Sequence, residues 1–359
     1  MSAGVFTVAD PGQPGPGGLA FDSASRLLVV APHPDDETIA AAGLMQEAHG
    51  AGAAVQIWLL TDGDNNPWPQ RWSERRWRID PAARQRWGGR RRAESRAALQ
   101  RLGLDPAGTL QAFGWPDGGL TDRFVADPAG LVASLATSLW RFAPTDLVIP
   151  AVTDRHPDHG MAGLLMILAM GQAGLAPRLL SYRVHGGQPP DGALLRELDD
   201  GHWAAKQQAV AAYATQMLLT GPRLRRMASR REAFLADPFW PWPGRLPAIR
   251  LEAGPGDASL ALDFGWPAPA LARQRLLVAM VPAGGPPSVR VLAGPALAAL
   301  ARRRGAGIRL TVAGFNTENC QSFVKLEPGE RGQWIFDRYP WLRLGTQAHP
   351  FPLPRKPQP

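Results

Sequence analysis

Between Ala31 and Glu37 the chain reads Ala-Pro-His-Pro-Asp-Asp-Glu, directly after the apolar run Leu27-Leu28-Val29-Val30. An imidazole and three carboxylates thus fall on one short turn where a strand gives way to a helix. Histidine nitrogen and carboxylate oxygen are donors that a divalent metal such as zinc accepts, and a catalytic site uses about three of them and keeps one position open. A second cluster offers what the first lacks. Arg155-His156-Pro157-Asp158-His159-Gly160 follows Leu147-Val148-Ile149-Pro150, so both His-Pro-Asp clusters stand just past apolar segments.

Adjacent carboxylates in an extended turn point apart, so Asp35 and Asp36 should have different tasks, and spacing alone leaves open which of them ligates. Glu37 opens the helix, where a carboxylate also caps free N–H groups. Asp62-Gly63-Asp64 and Trp115-Pro116-Asp117-Gly118 are two further polar turns after apolar segments. One such turn alone is an ordinary loop. Four on the same sheet edge point to a site.

The elements that must position these turns follow from the alternation of the chain. Apolar strands at Arg26 to Ala31, Ala53 to Thr61, Thr109 to Trp115, Asp146 to Ala151 and Arg178 to His185 are separated by helices at Glu37 to His49, Arg90 to Leu102, Ala129 to Phe142 and Asp158 to Gln172. Continuous apolar strands alternating with helices predict an α/β fold, a Rossmann-like, doubly wound, mainly parallel sheet with helices on both faces. Ligands bind such sheets beyond the carboxyl ends of the strands, where all four turns lie. Asn65 to Gly89 reads as a long polar loop with Trp68, Trp72, Trp77 and Trp87, whose indoles either stack on sugar faces or pack the insertion against the sheet.

A helical pair is expected at Asp200 to Met217 and Arg223 to Ala236. The Pro- and Trp-rich stretch Pro238 to Gly244 then reads as a linker. Beyond it, strands are expected at Ala258 to Phe264, Gln274 to Val281, Ser288 to Leu292, Gly307 to Ala313, Ser322 to Leu326 and Gln333 to Asp337, with one helix at Ala296 to Arg304. The expected organisation is an N-terminal arm over 1–24, a catalytic domain over 25–237 with the insertion at 65–89, and a β-rich C-terminal domain over 246–344.

The formal charge is +8, and between Arg71 and Arg101 eleven arginines face three acids, so one segment holds the whole excess. Such a surface suits an anionic substrate or a peripheral contact with an acidic membrane, and a solvated basic helix face explains it equally well. Nucleic-acid binding rests on this cluster alone and is not expected. The single cysteine, Cys320, excludes an internal disulfide. With no signal pattern in Met1 to Gly18 and no apolar run of about 20 residues, a cytoplasmic protein is expected.

Ala-Pro-His33-Pro-Asp35-Asp36-Glu37 resembles the first motif of the PIG-L, or LmbE-like, family of zinc-dependent N-acetylglucosaminyl deacetylases, and His156-Pro-Asp158-His159 resembles its second. Weaker similarities run in the family's order: Thr61-Asp62-Gly63, Arg91 with Glu94, Leu102-Gly103, Pro116-Asp117-Gly118, and Lys206 ahead of Tyr213-Ala-Thr-Gln216. The likeness covers about Arg26 to Phe234. It implies zinc held by His33, Asp36 and His159, Asp35 as general base toward zinc-activated water, and His156 as the group that stabilises the oxyanion or protonates the leaving amine. Some relatives carry a tyrosine where Asp154 stands.

Asp158 is expected to orient a histidine as a hydrogen-bond acceptor. Arg91, Trp115, Asp117 and His185 are candidate substrate-binding residues, although a lone histidine such as His185 is more often structural. Arg91 and Glu94 are read as a helix-borne ion pair, near the site or on the plain surface. The expected activity is removal of acetyl from an N-acetylated amino sugar or its conjugate, giving acetate and a free amine. The alternative is a carbohydrate-binding protein with a vestigial metal site.

Overall fold

In a computed structural model, which describes residues 19–253, 258–264, 271–304, 307–315, 320–329 and 336–344, the apolar run after Arg26 is the middle strand of a parallel sheet. The strands are β1 (Arg26–Ala31), β2 (Ala54–Thr61), β3 (Leu110–Trp115), β4 (Asp146–Pro150) and β5 (Arg178–Tyr182), in the spatial order β3-β2-β1-β4-β5. Leu27 to Ala31 are wholly buried, because helices cover both faces. Strands are added outward from β1 on one side, and then on the other beginning with β4. The switch point therefore lies between β1 and β4, which are paired through Leu27 with Asp146 and Val29 with Val148. Both His-Pro-Asp turns leave the sheet at this point, where diverging loops open a crevice.

The helices are α1 (Asp36–Gly50), α2 (Pro67–Glu74), α3 (Pro81–Arg101), α4 (Pro106–Thr109), α5 (Leu120–Ala126), α6 (Pro128–Phe142), α7 (Pro157–Ala173), α8 (Asp200–Ala211) and α9 (Ala214–Met227). Every residue of α7 from Pro157 to Met170 is buried, as expected of a helix that is apolar all round. Gly163 lets α7 lie against the end of β4, since a Cβ there would stand 2.4 Å from the Pro150 carbonyl oxygen. α1 departs from helical geometry at Ala41. The amides of Gly43 and Leu44 donate to the Glu232 carboxylate at 2.9 and 3.1 Å, and the buried Lys206 ammonium lies 2.8 Å from the same group.

After β5 come β6 (Leu194–Glu197) and β7 (Arg231–Phe234), which pair antiparallel with α8 and α9 between them in the chain. Two antiparallel sheets follow. One has the order β11-β10-β14-β15, with β10 (Gln274–Pro282), β11 (Ser288–Ala293), β14 (Cys320–Pro328) and β15 (Leu342–Leu344). The other has the order β12-β13-β9-β8, with β8 (Ala248–Ala253), β9 (Ala258–Phe264), β12 (Ala301–Arg304) and β13 (Gly307–Phe315), and α10 (Gly294–Ala299) precedes β12.

Leu276, Val278, Val324 and Leu326 join Leu260, Leu262, Leu310 and Val312 in the core between these sheets. Their sequence neighbours Leu277, Ala279 and Phe323 face the other way, into the core around α5, α6 and α7. The two-residue period of β10 and β14 thus serves two cores at once.

Several sequence expectations need correction. The expected loop over 65–89 is largely helical: Pro81 occupies the first turn of α3, and the Asp80 carboxylate accepts from Ala83 N–H at 2.7 Å. That Asp-Pro start signal was present, but arginine-rich α3 lacks an apolar stripe. The helical pair breaks between Ala211 and Ala214 and ends at Met227, and β7 takes the place of its expected last turn. Pro222 sits inside α9 on an exposed face, where the unpaired carbonyl can be hydrated. The helix expected over Ala296 to Arg304 is α10 followed by β12, which pairs with β13. The strand expected at Gln333 to Asp337 and the arm before Leu19 fall largely outside the described residues.

The buried Lys206–Glu232 pair gives a stability test. Lys206→Met leaves a buried carboxylate without its cation, and removing one partner of such a pair costs about 3–5 kcal/mol. Urea unfolding should show that loss, whereas a change near zero would mean that Glu232 is satisfied by the α1 amides alone.

Candidate metal centre

His33 lies in the turn after β1, and Asp36 begins α1. His159 lies in the first turn of α7, beyond β4. The sheet brings them together. His33 Nδ1 is 3.2 Å from Asp36 Oδ2, His159 Nε2 is 3.1 Å from the same oxygen, and the two ring nitrogens are 3.3 Å apart. Three ligand bonds of about 2.0–2.1 Å in a tetrahedron give donor separations of about 3.3 Å, so this triangle fits one metal ion. Other donor sets within 4.8 Å are His33 with His156 and His159, Asp36 with His159 and His185, and His33 with Asp117 and Asp158.

The opposite nitrogens of the two histidines separate these choices. His33 Nε2 faces Asp117 Oδ1 at 3.1 Å and Asp158 Oδ2 at 3.4 Å, while His159 Nδ1 faces Asp154 Oδ2 at 3.4 Å. A ligating histidine characteristically turns its far N–H to a carboxylate, so Asp117 and Asp154 occupy orienting positions. Asp158 chiefly accepts the amides of Gly118 at 2.6 Å and Leu120 at 3.2 Å. It ties the turn after β3 to the start of α7.

Electrostatics agree with the geometry. Burial opposes a charge on either histidine, yet the surrounding carboxylates outweigh it: Asp117 foremost holds His33 well above its ordinary value, and Asp36 and Asp154 hold His159 at about 9. Burial would likewise raise Asp36, but His159 and His33 hold its carboxyl well below the usual range. Without a metal, protons on the two histidines offset part of this negative charge. A divalent cation can replace both.

Asp35 is not part of the triangle, and its carboxylate meets Arg91. Its φ of 117° lies in the left-handed region, strained for a residue with a Cβ. Glu37 stabilises the turn, its Oε2 accepting the Asp35 amide at 3.1 Å while Oε1 accepts the Tyr213 hydroxyl at 2.7 Å. Burial pushes the Asp35 carboxyl up to about 8 against the opposing pull of Arg91, whose Nη2 lies 3.3 Å away.

Arg91 is itself buried and donates to the Gly63 and Pro34 carbonyls at 2.7 Å each. The Gln216 carboxamide, with its oxygen turned toward the guanidinium, accepts at 3.1 and 3.2 Å. Gly63, with φ +60°, leaves room for this guanidinium, because a Cβ there would stand 1.9 Å from Arg91 Nη1. Arg91 therefore pairs with Asp35 rather than with Glu94, which instead accepts from Thr215.

His156 caps α7, and its Nδ1 accepts the Asp158 amide at 3.3 Å, which places the proton on Nε2. Burial, together with His33, His159 and His185, holds this ring well below its ordinary value, so it stands as a neutral donor. His185 lies 5.0 Å from His159 and 5.6 Å from His156 between ring centroids, and burial lowers it to about 4. Trp115 does not join the site. Its indole packs in the core beside Phe113, with the Arg123 guanidinium over the ring.

Sequence reading missed the orienting position of Asp154, which also accepts the amides of His156, Val184 and His185. A carboxylate five residues before His159 was its only signal. Of the four insertion tryptophans, Trp87 is buried, while Trp68, Trp72 and Trp77 are 56%, 69% and 75% exposed. Burial within the fold holds for Trp87 alone among the four.

Residues 28–170 match the family described as GlcNAc-PI de-N-acetylase, PIG-L. This segment, less than half of the chain, is similar to the PIG-L domain. Two curated relatives are both named 1D-myo-inositol 2-acetamido-2-deoxy-alpha-D-glucopyranoside deacetylase. That of Mycobacterium sp. (strain KMS) is 35% identical over 152 residues, 39% of this chain and 48% of the relative. That of Mycobacteroides abscessus is 27% identical over 234 residues, 54% of this chain and 82% of the relative. The chain thus spans about half the length of the first of them. A solved structure of a conserved protein from Thermus thermophilus is 28% identical, with a TM-score of 0.45, covering 61% of this chain and 95% of that one.

Metal uptake at this site should release protons. Ligand histidines must be deprotonated, and below about pH 9 His159 carries its proton in the metal-free chain. Affinity should therefore rise about tenfold per pH unit for each proton displaced, and calorimetry in buffers of different ionisation enthalpy counts those protons. His159→Ala should remove the release together with the binding; pH-independent affinity would contradict the assignment.

Proposed function

We propose that the chain is a zinc-dependent hydrolase that removes the acetyl group from an N-acetylglucosamine-type amino sugar, with His33, Asp36 and His159 holding the metal. The observation that carries this reading is the 3.1–3.3 Å donor triangle beside a buried carboxylate that is not part of it. The names of the curated relatives support the substrate class. When bound, zinc supplies Lewis acidity that polarises the acetyl carbonyl and makes water a nucleophile near neutral pH.

The chain's own residues do the proton work. Asp35 removes a proton from the attacking water. Its raised affinity for that proton, held in check by Arg91, suits it to pass the proton on to the departing amine nitrogen. Water adds to the carbonyl carbon, the C–N bond breaks, and acetate and the free amine leave with atoms balanced. The Nε2–H of neutral His156 donates to the acetyl oxygen as negative charge develops there. Asp117, Asp154 and Asp158 keep the rings in register, and Arg91 positions Asp35.

A vestigial, sugar-binding site is disfavoured, because the donors, their orienting carboxylates and the base are all present. Among the described residues no helix is long and apolar enough to cross a membrane.

Acetate release from N-acetylglucosamine derivatives should stop on chelation and return with zinc. Asp35→Asn should lower kcat by about 10²–10⁴-fold while metal content stays constant. Unchanged turnover in that variant would discard the mechanism. Arg91→Met should move the pH–rate profile, since it removes the cation that lowers the Asp35 pKa; a profile identical to wild type would separate Arg91 from the base.

A further inference from the structure

The described C-terminal segment 336–344 lies beyond the family match, yet it reaches the metal centre. The Phe336 ring centroid is 5.3 Å from that of His185 and 6.5 Å from that of His156. Two guanidiniums flank the same ring, Arg155 at 5.5 Å and Arg223 at 5.7 Å from its centroid. They come from the turn after β4 and from α9, so three distant segments meet on one side of the crevice.

The placement is rigidly supported. The Asp337 amide donates to the Arg155 carbonyl at 2.7 Å, and its carboxylate meets the buried Lys325 ammonium of β14 at 2.6 Å. On the far side, Trp341 is wholly buried edge-on to Phe124. A loop merely covering the sheet would not need a buried ammonium to hold it at the mouth of the site.

Arg155 and Arg223 are exposed, and no carboxylate among the described residues lies within 4.0 Å of either guanidinium. Two guanidiniums beside one aromatic ring raise the positive potential there, which favours an oxyanion next to the ring. Phe336 adds a flat apolar face suited to a sugar ring or its substituent.

Resting on the deacetylase reading, we propose that Phe336, Arg155 and Arg223 form a specificity subsite for the part of the substrate next to the N-acetyl group, and that this part bears an oxyanion, phosphate or carboxylate. The C-terminal β unit is then a wall of the active site, through which the chain selects anionic amino sugars.

The test uses the full chain, zinc-loaded and carrying Asp35→Asn so that ligands persist. Calorimetry compares N-acetylglucosamine with its 1-phosphate, its 6-phosphate and N-acetylmuramic acid. At least one anionic probe should bind about 10- to 100-fold more tightly than the neutral sugar, and which one gains distinguishes phosphate from carboxylate. Adding Arg155→Ala with Arg223→Ala should abolish the advantage, and Phe336→Ala should weaken the preferred probe about tenfold. Phe336→Leu keeps an apolar contact with His185 and, with thermal midpoints, separates lost binding from lost folding.

Equal affinities for all probes, including none, overturn the subsite, as does a preference that survives the double substitution. A lowered thermal midpoint with unchanged selectivity overturns it too, assigning the three residues to docking of the C-terminal sheets. Turnover by the unsubstituted chain keeps the two readings apart. Failure to release acetate from every probe sinks the deacetylase reading, whereas release without any preference for anions sinks only the subsite.

Discussion

Asp36 Oδ2 stands within 3.2 Å of imidazole nitrogens from two residues 126 positions apart in the chain. A buried carboxylate is costly unless paired and hydrogen-bonded, and here the pairing comes from two different turns. Those turns meet because β4 pairs directly with β1. The sheet order is therefore the constraint on which the site depends. With another strand between β1 and β4, His33 and His159 would stand about a further strand spacing of 4.8 Å apart and could not share one atom.

Around that oxygen the fold concentrates charge that no element could hold alone. Asp117 and Asp154 occupy the outward nitrogens of the two histidines, and Arg91 faces Asp35. The strained backbone at Asp35 belongs to the same arrangement. It turns one carboxylate toward Arg91 and leaves its neighbour facing the histidines, while Glu37 and Tyr213 hold the turn from behind. Polarity at this depth persists because each group is answered by another, and the cavity's chemistry is a consequence of that mutual satisfaction.

The C-terminal sheets are continuous with this core. Alternate residues of β10 and β14 divide between the sandwich and the helices that pack on the parallel sheet, and Lys325 lies on the helix-facing side with Phe323. Burial on both faces explains why a lysine and the carboxylates of Glu327 and Asp337 cluster there. Through that cluster the second half of the chain is fastened to the turn that bears His156.

Local signals were legible wherever the cause was local. Continuous apolar runs marked the five parallel strands, and Pro and Gly marked their ends. Among the C-terminal strands β9, β10, β11, β13 and β14 were legible from alternation, whereas β8, β12 and β15 were not, and alternation could not say that both faces of β10 are buried. The insertion misled because α3 buries little apolar surface and shows its start only in Asp80-Pro81. Arg91 was tied to Glu94 by proximity in sequence, whereas its partner Asp35 lies 56 residues away. Asp154 and Phe336 offered almost no signal, since their importance lies in what they touch. By itself the sequence determined the donor types, the turns that present them and the strands that precede those turns, because these follow from residues near one another in the chain. Only the tertiary structure decided which nitrogen faces which carboxylate, that His156 is neutral, and that a distant β unit borders the crevice, because burial and charge depend on neighbours that the strand order supplies.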